Sequence, residues 1–328
     1  MARVRLVGLL VLTLACLVWV LWGIELDEAL AGLGRFQWPM LVPTWGLYLC
    51  AHALRAHRYR ILLPQPVDYG ASFSSLSIGY LALHVFPFRL GEFVRPYLLR
   101  EQRGVPLGDS LAALVFERLF DVLMLLAMIL GTTWFVEFPT TLEVGGVDIL
   151  RLAQRGAATL VTLGVVGVVG VIAVGEERLQ VLGRLPLGGM VLGGFGRFQD
   201  AVRALAARPL VAGQALLLSM VIWGLTLLAV HLQLLASPGL PTSAGATLAT
   251  WTATLSGMTV LPTPGFFGGF EAACVAALQV LGASREDAAP FAILLHLTQF
   301  AFTIVLGVLF LLREGLDLRQ VVARSREV

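Results

Sequence analysis

Apolar residues along this chain fall into long runs separated by short polar segments, and the lengths of the runs predict its elements. A helix needs about 20 mostly apolar residues to cross the hydrocarbon of a bilayer. Six runs approach or exceed that length and predict full membrane spans, at 6–24, 38–54, 107–135, 156–174, 210–236 and 288–312. The pattern therefore predicts an all-α polytopic membrane protein with about six full spans.

Two further apolar stretches are interrupted by Pro and Gly. Residues 72–88 are rich in Ser and contain Pro87, and residues 247–281 are broken around Pro262 and Gly268. Interrupted segments at corresponding places in two halves of a chain are typical of transporters built from inverted repeats. We predict two inverted re-entrant helical hairpins, whose breaking residues are Pro87, Gly91, Pro262, Pro264, Gly265 and Gly268.

The charges between the runs predict the orientation of the chain. Every strongly basic residue is Arg, and these residues concentrate at 3–5, 55–60, 89–103, 178–208 and 313–326. The positive-inside rule places these segments, and with them both termini, in the cytoplasm. The acidic loop at 136–150 has no Arg and is predicted to lie outside. In this orientation the two hairpins enter from opposite faces and point at each other.

The two halves of the chain also share a pattern of turn-forming and polar residues. A shift of 177 or 178 positions gives the pairs Pro87–Pro264, Gly91–Gly268, Gly104–Gly282, Asp109–Asp287, Arg118–His296 and Asp121–Gln299. Polar residues are scarce in the apolar runs, so their agreement argues against a chance match of Gly and Pro alone. We predict a single membrane domain over residues 1–328, with repeat cores at about 72–135 and 247–312.

Composition supports this class and argues against others. The chain is 58% hydrophobic and 13% charged, with a mean hydropathy of +0.85, whereas soluble domains carry roughly 25% charged residues. Its three Cys residues lie in apolar runs without metal-ligand spacing. Metal-protease, phosphate-loop and nucleophile-elbow motifs are missing from the sequence. We therefore expect no cofactor, no metal and no nucleic-acid partner.

Charged residues inside the apolar runs are candidates for function, because a charge at membrane depth is costly. Arg binds phosphate through a planar fork of donors, so Arg89, Arg95 and Arg118 are candidates for holding an anionic headgroup. Two alternatives stay open: cytoplasmic anchoring, and a buried bracket between Arg118 and Glu92 or Glu117. The predicted substrate-binding residues are Arg89, Glu92, Arg95, Glu117, Arg118, Asp121, Glu271, His296 and Gln299.

The second cluster has two open interpretations of its own. Glu271 follows a Gly-rich turn and either caps a half-helix, where an acid is favourable, or binds a coupling ion. His296 either packs through a hydrogen bond or carries a proton. Hydrogen-bonded packing is the more common state of a lone membrane His, and capping is the favoured role for Glu271.

Three motifs together carry a family resemblance. They are PFRLGEFVR at 87–95, VFERLFD at 115–121 and LPTPGFFGGFE at 261–271. In this order they resemble the flippase-like membrane region of lysylphosphatidylglycerol synthases, over about residues 5–313. The resemblance implies movement of a lipid between leaflets of a bacterial or archaeal plasma membrane. The soluble aminoacyl-transfer domain of the full synthases is missing here, so lysine transfer is not implied.

The function that follows is a lipid translocase rather than an enzyme. Its polar cavity, formed between the two opposed hairpins, would carry a phospholipid or lipid-linked headgroup, and its partner is a membrane lipid with an anionic headgroup. An alternative is a membrane-embedded transferase acting on a lipid-linked substrate, with Glu117 or His296 as base. A third is a non-transporting subunit. The sequence leaves open a homo-oligomer or a lipid-biosynthesis partner.

Overall fold

A computed structural model of the chain describes residues 2–21, 27, 34–85, 91–136, 143–144, 147–148, 200, 203–205, 207–260, 263–317 and 321. Several predictions fall elsewhere. The span at 156–174 and the residues Pro87, Arg89 and Pro262 lie outside the described residues.

The described part of the chain is almost entirely helical, which confirms the predicted all-α class. The helices are α1 Ala2–Leu21, α2 Leu41–Leu62, α3 Tyr69–Val85, α4 Gly91–Arg103, α5 Leu107–Phe135, α6 Pro209–Leu235, α7 Ala244–Val260, α8 Gly269–Val280 and α9 Arg285–Arg313. Single 3-10 turns lie at Trp38–Met40 and Pro264–Phe266. The described ranges also hold one antiparallel pair of two-residue strands, β1 Glu143–Val144 and β2 Val147–Asp148.

Most predicted helix boundaries are close to the observed ones, and α2 departs furthest. The apolar run at 38–54 ends before its first Arg, but α2 continues to Leu62. It continues because Arg58 is buried, at 2% exposure, against acidic partners inside the helix bundle. Within the described ranges, α6 and α9 are long and apolar enough to cross a membrane. The total of about six spans stays a prediction.

The helices of the two halves correspond in length. The helices α3 and α7 each have 17 residues, α4 and α8 have 13 and 12, and α5 and α9 each have 29. At 1.5 Å per residue, a helix of 12–17 residues is about 18–25 Å long, which is less than the roughly 30 Å of hydrocarbon in a bilayer. Short paired arms followed by one long helix support the predicted hairpins and their repeat.

Each hairpin closes through a pair of glycines. A Cβ on Gly79 of α3 would lie 3.5 Å from the carbonyl oxygen of Gly91 in α4, and one on Gly257 of α7 would lie 3.2 Å from that of Gly269 in α8. Gly257 follows Gly79 by 178 positions, and Gly269 follows Gly91 by the same number. Small residues let membrane helices approach closely, so the glycine pairs set the spacing of the arms in both hairpins.

We predict that Gly257→Ala separates the arms of the second hairpin. The new Cβ would lie 2.3 Å from Cβ of Ala273, and overpacking of this kind costs about 1–3 kcal/mol. The expected result is a lower unfolding midpoint in detergent, followed by circular dichroism. Gly213→Ala in α6 is the matched control, because a Cβ there meets nothing within 4 Å. Equal midpoints for the two variants would contradict the close crossing.

Helix packing places a polar centre between two apolar cores. In the second half, α6, α7, α8 and α9 enclose a cluster around Phe270, Cys274, Leu278 and Leu295. In the first half, a second cluster lies around Tyr59, Leu99, Phe116 and Phe120. Pairing of α2 with α6 and of α3 with α9 joins the halves.

Candidate functional site

A cavity of about 240 Å³ lies at the centre of the bundle. Each helix from α2 to α7, and also α9, contributes to its wall. Its charged lining residues are Arg55, Glu92, Arg118 and Asp121, and its polar and aromatic ones include Tyr48, His52, Trp223, Trp251 and Gln299. The cavity therefore joins residues of both predicted repeats in one polar space.

Arg118 is the ion-paired cation that faces the cavity most openly. Its Nε lies 3.5 Å from Oε2 of Glu92, and its Nη1 lies 3.5 Å from Oδ2 of Asp121. The Arg118 side chain keeps 39% of its surface exposed, and the two acids keep 18% and 20%. Long contacts and residual exposure leave part of the guanidinium available to a ligand.

A fully buried bracket lies behind this wall. The Glu117 carboxylate pairs with Arg95 through Oε2, and its Oε1 lies 3.5 Å from Nε of Arg58. All three side chains are at most 5% exposed. The Arg95 guanidinium also lies over the ring of Tyr59, with Cζ 4.3 Å from the ring centroid. The bracket ties α2, α4 and α5 together at the level of the cavity.

Asp121 links the bracket to the cavity wall. Its Oδ1 accepts hydrogen bonds from Nη1 of Arg58 at 3.0 Å and from the indole N–H of Trp223 at 3.3 Å. Arg58 also donates to the Ser219 hydroxyl at 2.7 Å. Through these bonds α6 joins α2 and α5, so a single network of charges holds four helices around the cavity.

The second cluster is a compact hydrogen-bonded pair. Nδ1 of His296 lies 2.6 Å from Oε1 of Glu271, and the other carboxylate oxygen accepts the backbone N–H of Gly268 at 2.7 Å. The imidazole stacks on Phe270 at 4.4 Å and contacts Phe267. Glu271 is 2% exposed and His296 3% exposed. Glu271 thus caps α8 while binding α9, which favours the capping interpretation.

The two pairs occupy matching places in the repeat. Arg118 is the twelfth residue of α5, and His296 is the twelfth residue of α9. Each pairs with an acid in the first turn of the preceding short helix, Glu92 in α4 and Glu271 in α8. The acid–base contact between a hairpin and its long helix therefore occurs twice. One copy faces the cavity, and the other is sealed by aromatic rings.

The turn between α7 and α8 shows why its glycines are needed. Gly265 has a φ of 61° and Gly268 a φ of 86°, a region that residues with a Cβ rarely adopt. A Cβ on Gly268 would also lie 2.8 Å from the Thr13 carbonyl oxygen of α1. Both glycines lie in the turn between α7 and α8, where Pro264 opens the 3-10 turn, and Gly91 forms the first residue of α4.

The structure divides the predicted site residues into groups. Glu92, Arg118, Asp121 and Gln299 line the cavity. Arg95 and Glu117 lie in the bracket behind it, while Glu271 and His296 form the sealed pair. Arg89 is outside the described residues. In the described ranges, no group of three or more His, Cys, Asp or Glu side chains is placed to share a metal ion.

Sequence reasoning missed the contribution of α2. Arg55 and Arg58 were assigned to a cytoplasmic anchor, yet one lines the cavity and the other holds the bracket. The signal is present in the sequence, because Tyr48, His52 and Arg55 follow one another at spacings of four and three. Such spacing places side chains on one helix face, and all three line the cavity.

We predict that Glu271→Gln weakens the second hairpin. The carboxylate accepts the Gly268 N–H and faces Nδ1 of His296, whereas the amide keeps one acceptor and turns an N–H₂ towards one of these groups, so that His296 must change tautomer or a donor loses its acceptor. A buried unsatisfied polar group costs about 1–3 kcal/mol, so the unfolding midpoint in detergent should fall. The control is Glu286→Gln, at the less buried start of α9. A midpoint equal to that of the control would contradict the double role of Glu271.

Comparison with known proteins gives one family and one named relative. The family model described as the lysylphosphatidylglycerol synthase TM region matches residues 5–307. A curated protein of Haloferax volcanii named glycosyltransferase AglD is 27% identical to this chain over an alignment 361 positions long. The alignment covers 99% of this chain. The chain spans 57% of the length of that protein. No solved structure matches the chain.

Proposed function

The chain belongs to the lysylphosphatidylglycerol synthase transmembrane-region family, and from this premise we propose that it is a lipid translocase of the plasma membrane. It would move a phospholipid or a lipid-linked headgroup between leaflets through the central cavity. Integral membrane character follows from the family and from the long apolar helices. The plasma membrane and cytoplasmic termini are part of the proposal.

The observation that carries the proposal is a charged cavity enclosed by both halves of a membrane bundle. Charge inside a membrane segment is kept where it faces a cavity or a partner, and it marks the path of a polar substrate. Here Arg118, Glu92 and Asp121 face the same space as Gln299 of the other half. Substrate sites of repeat-built transporters lie between the repeats, which is the position of this cavity.

The size of the cavity fits a headgroup without its acyl chains. Its volume of about 240 Å³ is below the roughly 300–1,000 Å³ of pockets that enclose a drug-sized ligand. We propose that the acyl chains stay in lipid while the headgroup passes the cavity. Movement of one hairpin relative to the other would open the cavity to each leaflet in turn, and the pair Glu92–Arg118 is the contact that such a movement would break.

The relative named glycosyltransferase favours the second candidate, a membrane-embedded transferase acting on a lipid-linked substrate. The chain covers just over half of that protein, so the named activity of the whole protein need not reside in the matched part. Glu117, one proposed base, is held between two Arg side chains, and His296 is sealed by aromatic rings. Both placements favour translocation over transfer.

The experiment that separates the two candidates uses purified protein in vesicles. Lipids that copurify are identified by mass spectrometry, and the enriched lipid is placed in proteoliposomes with a headgroup-accessibility readout. A translocase exchanges that lipid between leaflets and returns it chemically unchanged. Chemically altered lipid in the same vesicles would support the transferase. Folded protein that neither exchanges nor alters the lipid would refute both.

A further inference from the structure

Arg55 is the charged residue of the cavity whose guanidinium is not committed to a carboxylate. The other arginines of the network, Arg58, Arg95 and Arg118, each lie within 4 Å of an acid. Among the described residues no acid lies this close to Arg55, and its hydrogen bond is to the Thr226 hydroxyl at 3.4 Å. Arg55 nevertheless lines the cavity.

The charges of the network do not cancel. Four arginines, Arg55, Arg58, Arg95 and Arg118, stand against three acids, Glu92, Glu117 and Asp121. Each acid is already shared with at least one Arg, so the surplus positive charge resides at Arg55. An uncompensated charge in a membrane bundle is costly, and an anion in the cavity would balance it.

A hydrogen-bond donor without a partner also lines the cavity. Trp251 of α7 lines the cavity and is 3% exposed, yet its indole N–H has no hydrogen-bond partner among the described residues. An indole N–H can only donate, so the missing group is an acceptor. By contrast, Trp223, which also lines the cavity, donates to Asp121. Gln299 of α9 adds a side-chain amide to the lining.

We propose that Arg55 and Trp251 form the phosphate-binding part of the cavity and that it selects anionic headgroups over aminoacylated, cationic ones. The inference rests on the proposed function and names its substrate class. A cationic headgroup would meet a surplus of positive charge, and the acids that could receive it are occupied by Arg58, Arg95 and Arg118. A phosphodiester supplies an acceptor oxygen for the Trp251 N–H and a negative charge for Arg55.

The test measures binding separately from transport. Calorimetry of the detergent-purified chain would use short-chain phosphatidylglycerol, its lysylated form, short-chain phosphatidylcholine and glycerol 3-phosphate. We expect phosphatidylglycerol to bind at least about tenfold more tightly than the lysylated lipid. Arg55→Gln and Trp251→Phe should each weaken its binding by about tenfold, which one hydrogen bond to a charged group can supply.

Matched variants exclude a general effect of the substitutions. Arg100→Gln removes an exposed Arg at the end of α4, and Trp134→Phe alters a Trp of α5 that is 73% exposed. Neither lines the cavity, and both should bind phosphatidylglycerol as the native chain does. Arg55→Lys keeps the charge but not the fork of donors, so it should bind with intermediate affinity and also report on folding.

Each outcome bears on the proposal. Binding of glycerol 3-phosphate alone would support the anion site and identify a free phosphate ester as a ligand, whereas binding of the lipid alone would identify the lipid. Tighter binding of the lysylated form, or unchanged binding by both Arg55→Gln and Trp251→Phe, would overturn the inference even if vesicles show leaflet exchange. Loss of binding in these variants without leaflet exchange by the native chain would support the site and refute the translocase.

Discussion

Glu117→Gln is expected to lower the free energy of unfolding by about 3–5 kcal/mol, the usual cost of breaking a buried ion pair by removing one partner. Glu117 is 2% exposed and compensates both Arg95 and Arg58. The neutral amide would leave Arg95 without an acid, since among the described residues only Glu117 lies within 4 Å of its guanidinium. The unfolding transition in mixed detergent, titrated with a denaturing detergent, measures the loss.

The matched control is Glu101→Gln in α4, which removes an exposed carboxylate and should leave the transition unchanged. A double variant tests the mechanism. Removing charge from both partners, as in Arg95→Leu with Glu117→Leu, should recover part of the stability, because apolar replacements of a buried pair are often neutral or stabilising. If Glu117→Gln unfolds at the midpoint of the control, the bracket does not stabilise the bundle.

This prediction separates two roles that the sequence could not separate. The motif containing Glu117, Arg118 and Asp121 shows that charges share a helix, and adjacent residues on a helix point in different directions. Glu117 therefore faces the bracket while Arg118 faces the cavity. Which of these directions leads to the cavity depends on where α2 and α6 pack. That packing is a property of the tertiary structure.

Helix positions were predictable to a large extent, and the reason is physical. A run of apolar residues must form a helix in a membrane, because its backbone groups have no water to bind. The run at 107–135 coincides with α5, and that at 210–236 differs from α6 by one residue at each end. The boundary of α2 was not predictable in this way, because buried ion pairs allow a helix to continue through arginines.

The least predictable feature was which polar residues pair with each other between helices. The repeat aligned Arg118 with His296, and the structure adds that each of them binds an acid of the preceding short helix. The sequence left open whether Glu271 capped α8 or bound an ion. One carboxylate oxygen binds the Gly268 N–H and the other binds His296, a geometry that no spacing in the sequence contains.

Arg118→Gln is expected to reduce leaflet exchange to the level of protein-free vesicles while changing the free energy of unfolding by less than about 1 kcal/mol. Stability should change little because the Arg118 side chain is 39% exposed and its contacts with Glu92 and Asp121 are both 3.5 Å long, and exposed pairs contribute about 0–1 kcal/mol. Transport should be lost because Arg118 is the ion-paired cation that faces the cavity. Headgroup accessibility in proteoliposomes provides the measurement.

Two further variants decide how Arg118 acts. Arg118→Lys keeps the positive charge without the planar fork, so a phosphate-binding role predicts partial exchange. In the double variant Glu92→Gln with Arg118→Gln, no unpaired Glu92 charge remains in the wall. If loss of exchange came only from that stranded charge, the double variant would recover it. We expect the double variant to stay inactive, because Arg55 is then the one Arg left in the described lining of the cavity and the headgroup path still lacks the Arg118 cation. If Arg118→Gln exchanged lipid at the rate of the Arg100→Gln control, Arg118 would not be needed for transport.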